Sequence, residues 1–204
     1  MDLKEVLVGP LARLRYVKRY STIRVTLPES TSEHSYFTAI YCLILASYLD
    51  PEEVRFNRSD LLTRALLHDV EESVTGDLPR PFKHSDAELI LQVERLGRKS
   101  ILEIFQKIFE SKGPGLPDLY ATRWCHAKDG TCEGRLLAFA DFLSVLSFVA
   151  QEVQGGNTVI LNQLQGLKAY HRIFEGQGFE FLGSLPAQAK EFMKKEIYEY
   201  ARQR

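Results

Sequence analysis

His68-Asp69 stands at the end of an apolar run, Leu61-Leu62-Thr63-Arg64-Ala65-Leu66-Leu67. An imidazole beside a carboxylate is half of a metal site if two more ligands can reach it. His34, in Ser32-Glu33-His34, and Asp141, far downstream, are the candidates. At helical spacing the neighbours of Asp141 are Leu137, Ala138 and Val145, so its carboxylate lies on an apolar stripe. A charge there must be paired, hydrogen-bonded or metal-bound, because burying it bare is costly. His34, His68, Asp69 and Asp141 are therefore the predicted ligands of one divalent ion, Mn, Co, Fe or Zn, with room left for water and a phosphate oxygen. Such an ion acidifies water and polarises a phosphoryl oxygen, so the predicted class is a hydrolase.

Other residues can serve that chemistry. Glu72 falls one helical turn beyond Asp69 and can act as general base, but spacing alone does not choose between it and Glu71. Arg19 can clamp a phosphate with its planar fork. It also sits among Arg13, Arg15 and Lys18, so the residues alone favour a solvated basic face over a phosphate contact. His84, His126 and His171 have no matching partners. Cys42, Cys125 and Cys132 read as reduced thiols, since none forms a CxxC pair.

These residues need helices to hold them. Residues 3–20 read as a first helix with a basic end. A loop follows to Thr31, and Ser32 is the expected cap of a second helix running to Leu49, apolar on nearly every side and so expected to be central. Ser59-Asp60 is expected to cap a third, ending at His68-Asp69. Val70 to Lys83 reads as a structured loop with a short helical piece. Further helices are expected over about 85–110, 117–124, 133–154, 157–174 and 186–204, with breaks at Gly113–Pro117, Asp129-Gly130 and Gly155-Gly156. Thr22–Thr26 is the best strand candidate and is short. The expected fold is all-α, in one domain over residues 1–204.

Bulk properties agree with an ordinary globular chain. Hydrophobic residues make up 45% and charged residues 26% of the 204, enough for a sizeable core. The net charge of -1 offers no global field to recruit a nucleic acid polymer or an acidic membrane. Met1–Glu5 is acidic and lacks an apolar signal core, and no apolar run has the length of a membrane span. A cytoplasmic location is the expectation.

The spacing of these motifs resembles the HD-domain metal-dependent phosphohydrolases, and more specifically their YfbR-like 5'-deoxynucleotidase branch. Arg19-Tyr20, Ser32-Glu33-His34-Ser35, the block from His68 through Asp69, Glu72, Thr75, Gly76, Asp77 and Leu78 to Pro79, then Lys83, Ala140-Asp141 and Gly156-Asn157 carry the likeness. It implies an HD-type helical bundle, usually dimeric, acting on 2'-deoxyribonucleoside 5'-monophosphates. It implies that Glu72 assists the attacking water, that Arg19 contacts phosphate, and that Asp77 protonates the leaving 5'-oxygen or binds the sugar. Tyr20, Asp69, Asp77, Leu78, Pro79, Arg80, Lys83 and Asp141 are the implied substrate contacts beside Arg19. Two positions depart from the family: Tyr20 stands where bacterial relatives often carry Trp, and Arg80 where a small polar residue is common. The extra cation keeps open a deoxynucleoside triphosphate substrate, as in related phage enzymes, and a nucleotide-binding module without turnover is the third reading.

Overall fold

A computed structural model describes residues 3–47, 56–83, 85–109, 112–113, 115–157 and 159–160. Its elements are α1 (Leu3–Val8), α2 (Pro10–Arg13), α3 (Thr31–Ser47), α4 (Arg58–Leu67), α5 (Glu72–Thr75), α6 (Arg80–Lys83), α7 (Ala87–Ile108), α8 (Gly115–Cys125) and α9 (Cys132–Gln154). Among the described residues there is no strand, only an isolated bridge between Lys18 and Ser30. The all-α expectation holds. The helices expected to reach residue 174 and to span 186–204 lie outside the described residues.

α3, α4 and α9 form the principal layer. Their buried faces supply Cys42, Leu45, Ala46, Leu61, Ala65, Leu136, Leu137, Phe139 and Ala140 to one core. α7 and α8 pack a second core, with Ile101, Ile104, Phe105, Ala121 and Trp124 closing on Val70 just beyond α4. The second core thus supports the segment that follows His68-Asp69. α7 crosses α8 closely at Gly97, where an added Cβ would lie 2.7 Å from the Trp124 ring.

Several local expectations change. The helix expected over 3–20 breaks at Gly9, because Pro10 has no N–H to continue the ladder and begins α2 instead. The chain then turns through Leu14–Val17. Arg19 and Tyr20 are therefore loop residues, not a helix end. The cap of α3 is Ser30 rather than Ser32. Ser30 N–H donates to Glu33 Oε2 at 2.7 Å, and Glu33 N–H donates back to Ser30 Oγ at 3.2 Å. This reciprocal capping box was present in the sequence as Ser-x-x-Glu. α4 is capped by Asn57, whose side chain accepts from Asp60 N–H, and not by Ser59-Asp60.

α3 is less enclosed than its composition suggests: Tyr36, Phe37, Leu43 and Ile44 are exposed among the described residues. The strand candidate at 22–26 is a loop tied down by α9. Glu152 accepts from Thr26 N–H at 2.7 Å and Leu27 N–H at 3.0 Å, and Asn157 donates to Arg24 O at 2.9 Å. Side chains thus take up part of its backbone polarity where a partner strand would have done so.

Candidate metal centre

Three helices aim side chains at one point. His34 lies in the first turn of α3. His68 is the C-cap of α4 and keeps helical dihedrals (φ -58, ψ -28), so the chain continues to coil past the helix end. Val70 N–H reaches Leu67 O, and Glu72 N–H reaches Asp69 O at 3.2 Å. That extra turn sets Asp69 beside His68. Asp141 arrives from the middle of α9.

His34 Nε2 is 2.8 Å from Asp141 Oδ1 and 3.6 Å from Asp69 Oδ2. His68 Nε2 is 3.1 Å from Asp69 Oδ2, 3.9 Å from Asp141 Oδ1 and 3.4 Å from His34 Nε2. Ligand atoms of His34, His68 and Asp141 all lie within 4.8 Å of one another. The imidazoles are buried, while the Asp69 and Asp141 side chains keep 17% and 19% exposure and so face an opening.

The tautomer supports ligation. His68 Nδ1 is 2.7 Å from the carbonyl of Ala65, which can only accept. Nδ1 therefore carries a proton, which leaves Nε2 as the nitrogen a metal would take, the usual arrangement for a metal-binding histidine. His34 Nδ1 is buried and has no partner among the described residues. Burial and the Arg19 charge push the His34 imidazole down to about 4, so it is neutral and available as a ligand at neutral pH. Burial works against ionised Asp69, but His68 and Lys128 outweigh it and hold the carboxyl low. Burial likewise opposes ionised Asp141, but Lys128 and His34 prevail. Burial works against a charged His68, but the Asp69 carboxylate outweighs it and raises that imidazole. A divalent ion between the two imidazoles and two carboxylates would take the place of that proton.

Arg19 borders this cluster. Its Nη1 is 3.4 Å from Asp69 Oδ2, and its Nε is 3.2 Å from the buried carboxylate of Glu29. The Glu29 contact is one of charge, since neither atom gains an aligned hydrogen bond from it. Tyr20 adopts a positive φ of 59°, which a bulky residue enters only under constraint. Asp77 Oδ2 accepts its backbone N–H at 3.3 Å, and its ring stacks on Phe148 of α9 at 4.7 Å.

The Glu71/Glu72 alternative separates by environment. Glu71 accepts from Trp124 Nε1 at 2.7 Å and faces Lys83 Nζ at 3.7 Å, so it is tied into the second core. Glu72 accepts from Thr31 Oγ1 at 2.7 Å. Its carboxyl is pushed up to about 9, first by burial and then by the charges of Asp69 and Asp77. Lys83 is thus paired with Glu71. Leu78 and Pro79 lead from Asp77 into α6, with Pro79 O accepting from Phe82 and Lys83. The side chain of Arg80 lies outside the described residues, as do His84 and His171, and His126 is exposed.

Sequence reasoning missed Glu29, Thr31 and Lys128. Lys128 Nζ lies 2.6 Å from the outer oxygen of Asp141, Oδ2. None of the three sits in a periodic pattern that could single it out. The Ser30-x-x-Glu33 box was the one available signal, because it places Thr31 on the first turn of α3, facing inward.

A family model described as 5'-deoxynucleotidase YfbR-like matches residues 7–173. The 5'-deoxynucleotidase YfbR of Shigella boydii is 30% identical over 155 residues, which cover 74% of each chain. An HD-domain phosphohydrolase from Listeria innocua shares the fold at 18% identity, with a TM-score of 0.62 over 95% of each chain. A cyanophage S-2L HD phosphohydrolase, solved with dA and one catalytic Zn2+ ion, aligns at 20% identity with a TM-score of 0.57, covering 92% of this chain and 96% of its own.

Proposed function

The chain belongs to the 5'-deoxynucleotidase YfbR-like family, and from that premise we propose that it hydrolyses 2'-deoxyribonucleoside 5'-monophosphates to deoxynucleoside and phosphate. It is a phosphohydrolase. The observation that carries the finer reading is the convergence of His34, His68 and Asp141, with Asp69 against both imidazoles and the guanidinium of Arg19 beside it. These four residues would hold one divalent ion. When bound, it supplies positive charge that polarises a phosphoryl oxygen and lowers the pKa of water at the site.

The protein's own groups do the rest. Arg19 grips phosphate oxygens and compensates charge that grows on them. Glu72 orients the attacking water. Without an ion its carboxyl holds a proton at neutral pH; beside the positive charge of a bound divalent ion it would ionise and so can take the water's proton. A bond forms between the water oxygen and phosphorus, and the bond from phosphorus to the 5'-oxygen breaks. Asp77 returns a proton to that oxygen or holds the sugar. Burial, aided by Asp69, raises the Asp77 carboxyl, which suits a donor. Tyr20, Leu78, Pro79, Arg80 and Lys83 complete the nucleotide pocket in this reading, and a tight wall at the 2'-carbon rejects ribose. The domain spans residues 1–204 and acts as a cytoplasmic homodimer. No described helix is long and apolar enough to cross a membrane, which is compatible with that location.

The test is a metal-supplemented panel of deoxynucleoside monophosphates, ribonucleoside monophosphates and deoxynucleoside triphosphates, with products identified. Phosphate released from deoxy monophosphates alone is the expected result. Tripolyphosphate from triphosphates would replace the reading with a triphosphohydrolase. Equal rates on ribonucleotides would remove the deoxy preference, and nucleotide binding without turnover would leave only a binding module.

A further inference from the structure

We infer that Thr31 is a positioning residue for Glu72: its hydroxyl holds one carboxylate oxygen and so presents the other to the attacking water. The inference rests on the proposed role of Glu72.

Thr31 is the first residue of α3 and is fully buried. A hydroxyl at a helix start commonly satisfies the helix's own free N–H groups. Here that task is already done by the Ser30–Glu33 box. Water cannot reach the hydroxyl either. Its hydrogen bond goes instead to Glu72 Oε2, 41 positions along the chain, at 2.7 Å. The backbone fixes Thr31 independently, since its N–H donates to Val17 O at 3.0 Å. The hydroxyl therefore projects from an anchored point.

Glu72 has the complementary need. It opens a helix of only four residues, α5, and its carboxylate has no other hydrogen bond among the described residues. A glutamate side chain has three rotatable bonds, and a base that must meet a water within hydrogen-bond reach loses efficiency when free to turn. One oxygen is fixed by Thr31; Oε1 remains for the water. Valine has nearly the shape of threonine, so loss of the hydroxyl can be tested without opening a cavity.

The experiment compares Thr31→Val, Thr31→Ser, Glu72→Gln and the double variant Thr31→Val/Glu72→Gln in the full chain. Readouts are kcat and KM on a deoxynucleoside monophosphate, metal affinity by calorimetry, and melting temperature. Thr31→Val should lower kcat by about 10- to 100-fold, part of the ~100- to 10,000-fold that a general base contributes, with KM and metal affinity held within about threefold. Thr31→Ser should restore most of the turnover lost in Thr31→Val. The double variant should be no slower than Glu72→Gln alone, because the two residues act as one unit. Turnover of Thr31→Val near wild type, with Glu72→Gln impaired, would overturn the inference and leave the Glu72 reading intact. Near-wild-type turnover of Glu72→Gln would overturn both. Additive losses, or a fall in metal affinity that tracks kcat, would make Thr31 a purely structural residue and also overturn it.

Discussion

Arg19 is held from two sides, by Glu29 at Nε and Asp69 at Nη1. A lysine would carry the charge but not the planar fork that spans both carboxylates and a phosphate. Arg19→Lys should therefore raise KM roughly 10- to 100-fold with a smaller loss in kcat, as steady-state kinetics would show. Glu71 gives a pH prediction. Burial first, and Asp69 second, push its carboxyl up to about 7 from 4.5. The folded chain then holds more protons than the unfolded chain between those values. Its stabilising contribution is complete below pH 4.5 and is lost as pH rises through about 7. Melting curves of metal-free protein should fall in temperature across that window, and Glu71→Gln, which keeps an acceptor for Trp124, should flatten the slope. An unchanged slope in the variant would reject the assignment. At this scale the residues that type and spacing mark as metal ligands do converge, because imidazole and carboxylate on apolar helical stripes are chemically conspicuous. Thr31, Glu29 and Lys128 were not legible. A threonine, a loop glutamate and a loop lysine are common residues, and only long-range contacts distinguish them.

Helix α7 was legible by its apolar periodicity, α3 and α9 as long apolar runs, and α4 and α8 by the polar and turn residues that bound them. Their starts were not, since neighbouring polar residues compete for the cap: Ser30 won over Ser32, and Asn57 over Ser59. The break at Gly9-Pro10 was readable in principle, yet the apolar stripe through Leu7, Leu11 and Leu14 argued for continuity. The crossing of α7 on α8 rests on Gly97. An alanine Cβ there would stand 2.7 Å from Cη2 and 2.9 Å from Cζ2 of Trp124. Gly97→Ala should cost about 1–3 kcal/mol by overpacking. Since Trp124 is the chain's sole tryptophan, its intrinsic fluorescence should shift as the ring leaves Glu71. Unaltered emission and melting temperature would show that the crossing has slack.

The whole molecule joins distant parts of the chain at one centre. His34 and Asp141 are 107 positions apart, with His68-Asp69 between them. Metal should therefore bind the assembled chain far better than the unfolded one. At about 100 times its dissociation constant it should add about 2.7 kcal/mol of stability, seen as a rise in melting temperature. Asp141→Asn should abolish most of that rise, and a variant that still responds as wild type does would place the metal elsewhere.

The pairing of α3 with α9 also governs how the protein is made. Eighty-five positions separate Ser47, the end of α3, from Cys132, the start of α9. A ribosome adding ~5–20 residues per second needs about 4–17 s to cover that interval. For that time the inward face of α3, with Cys42, Leu45 and Ala46, has no α9 to close on, and the newborn chain offers it to any chaperone at the tunnel exit.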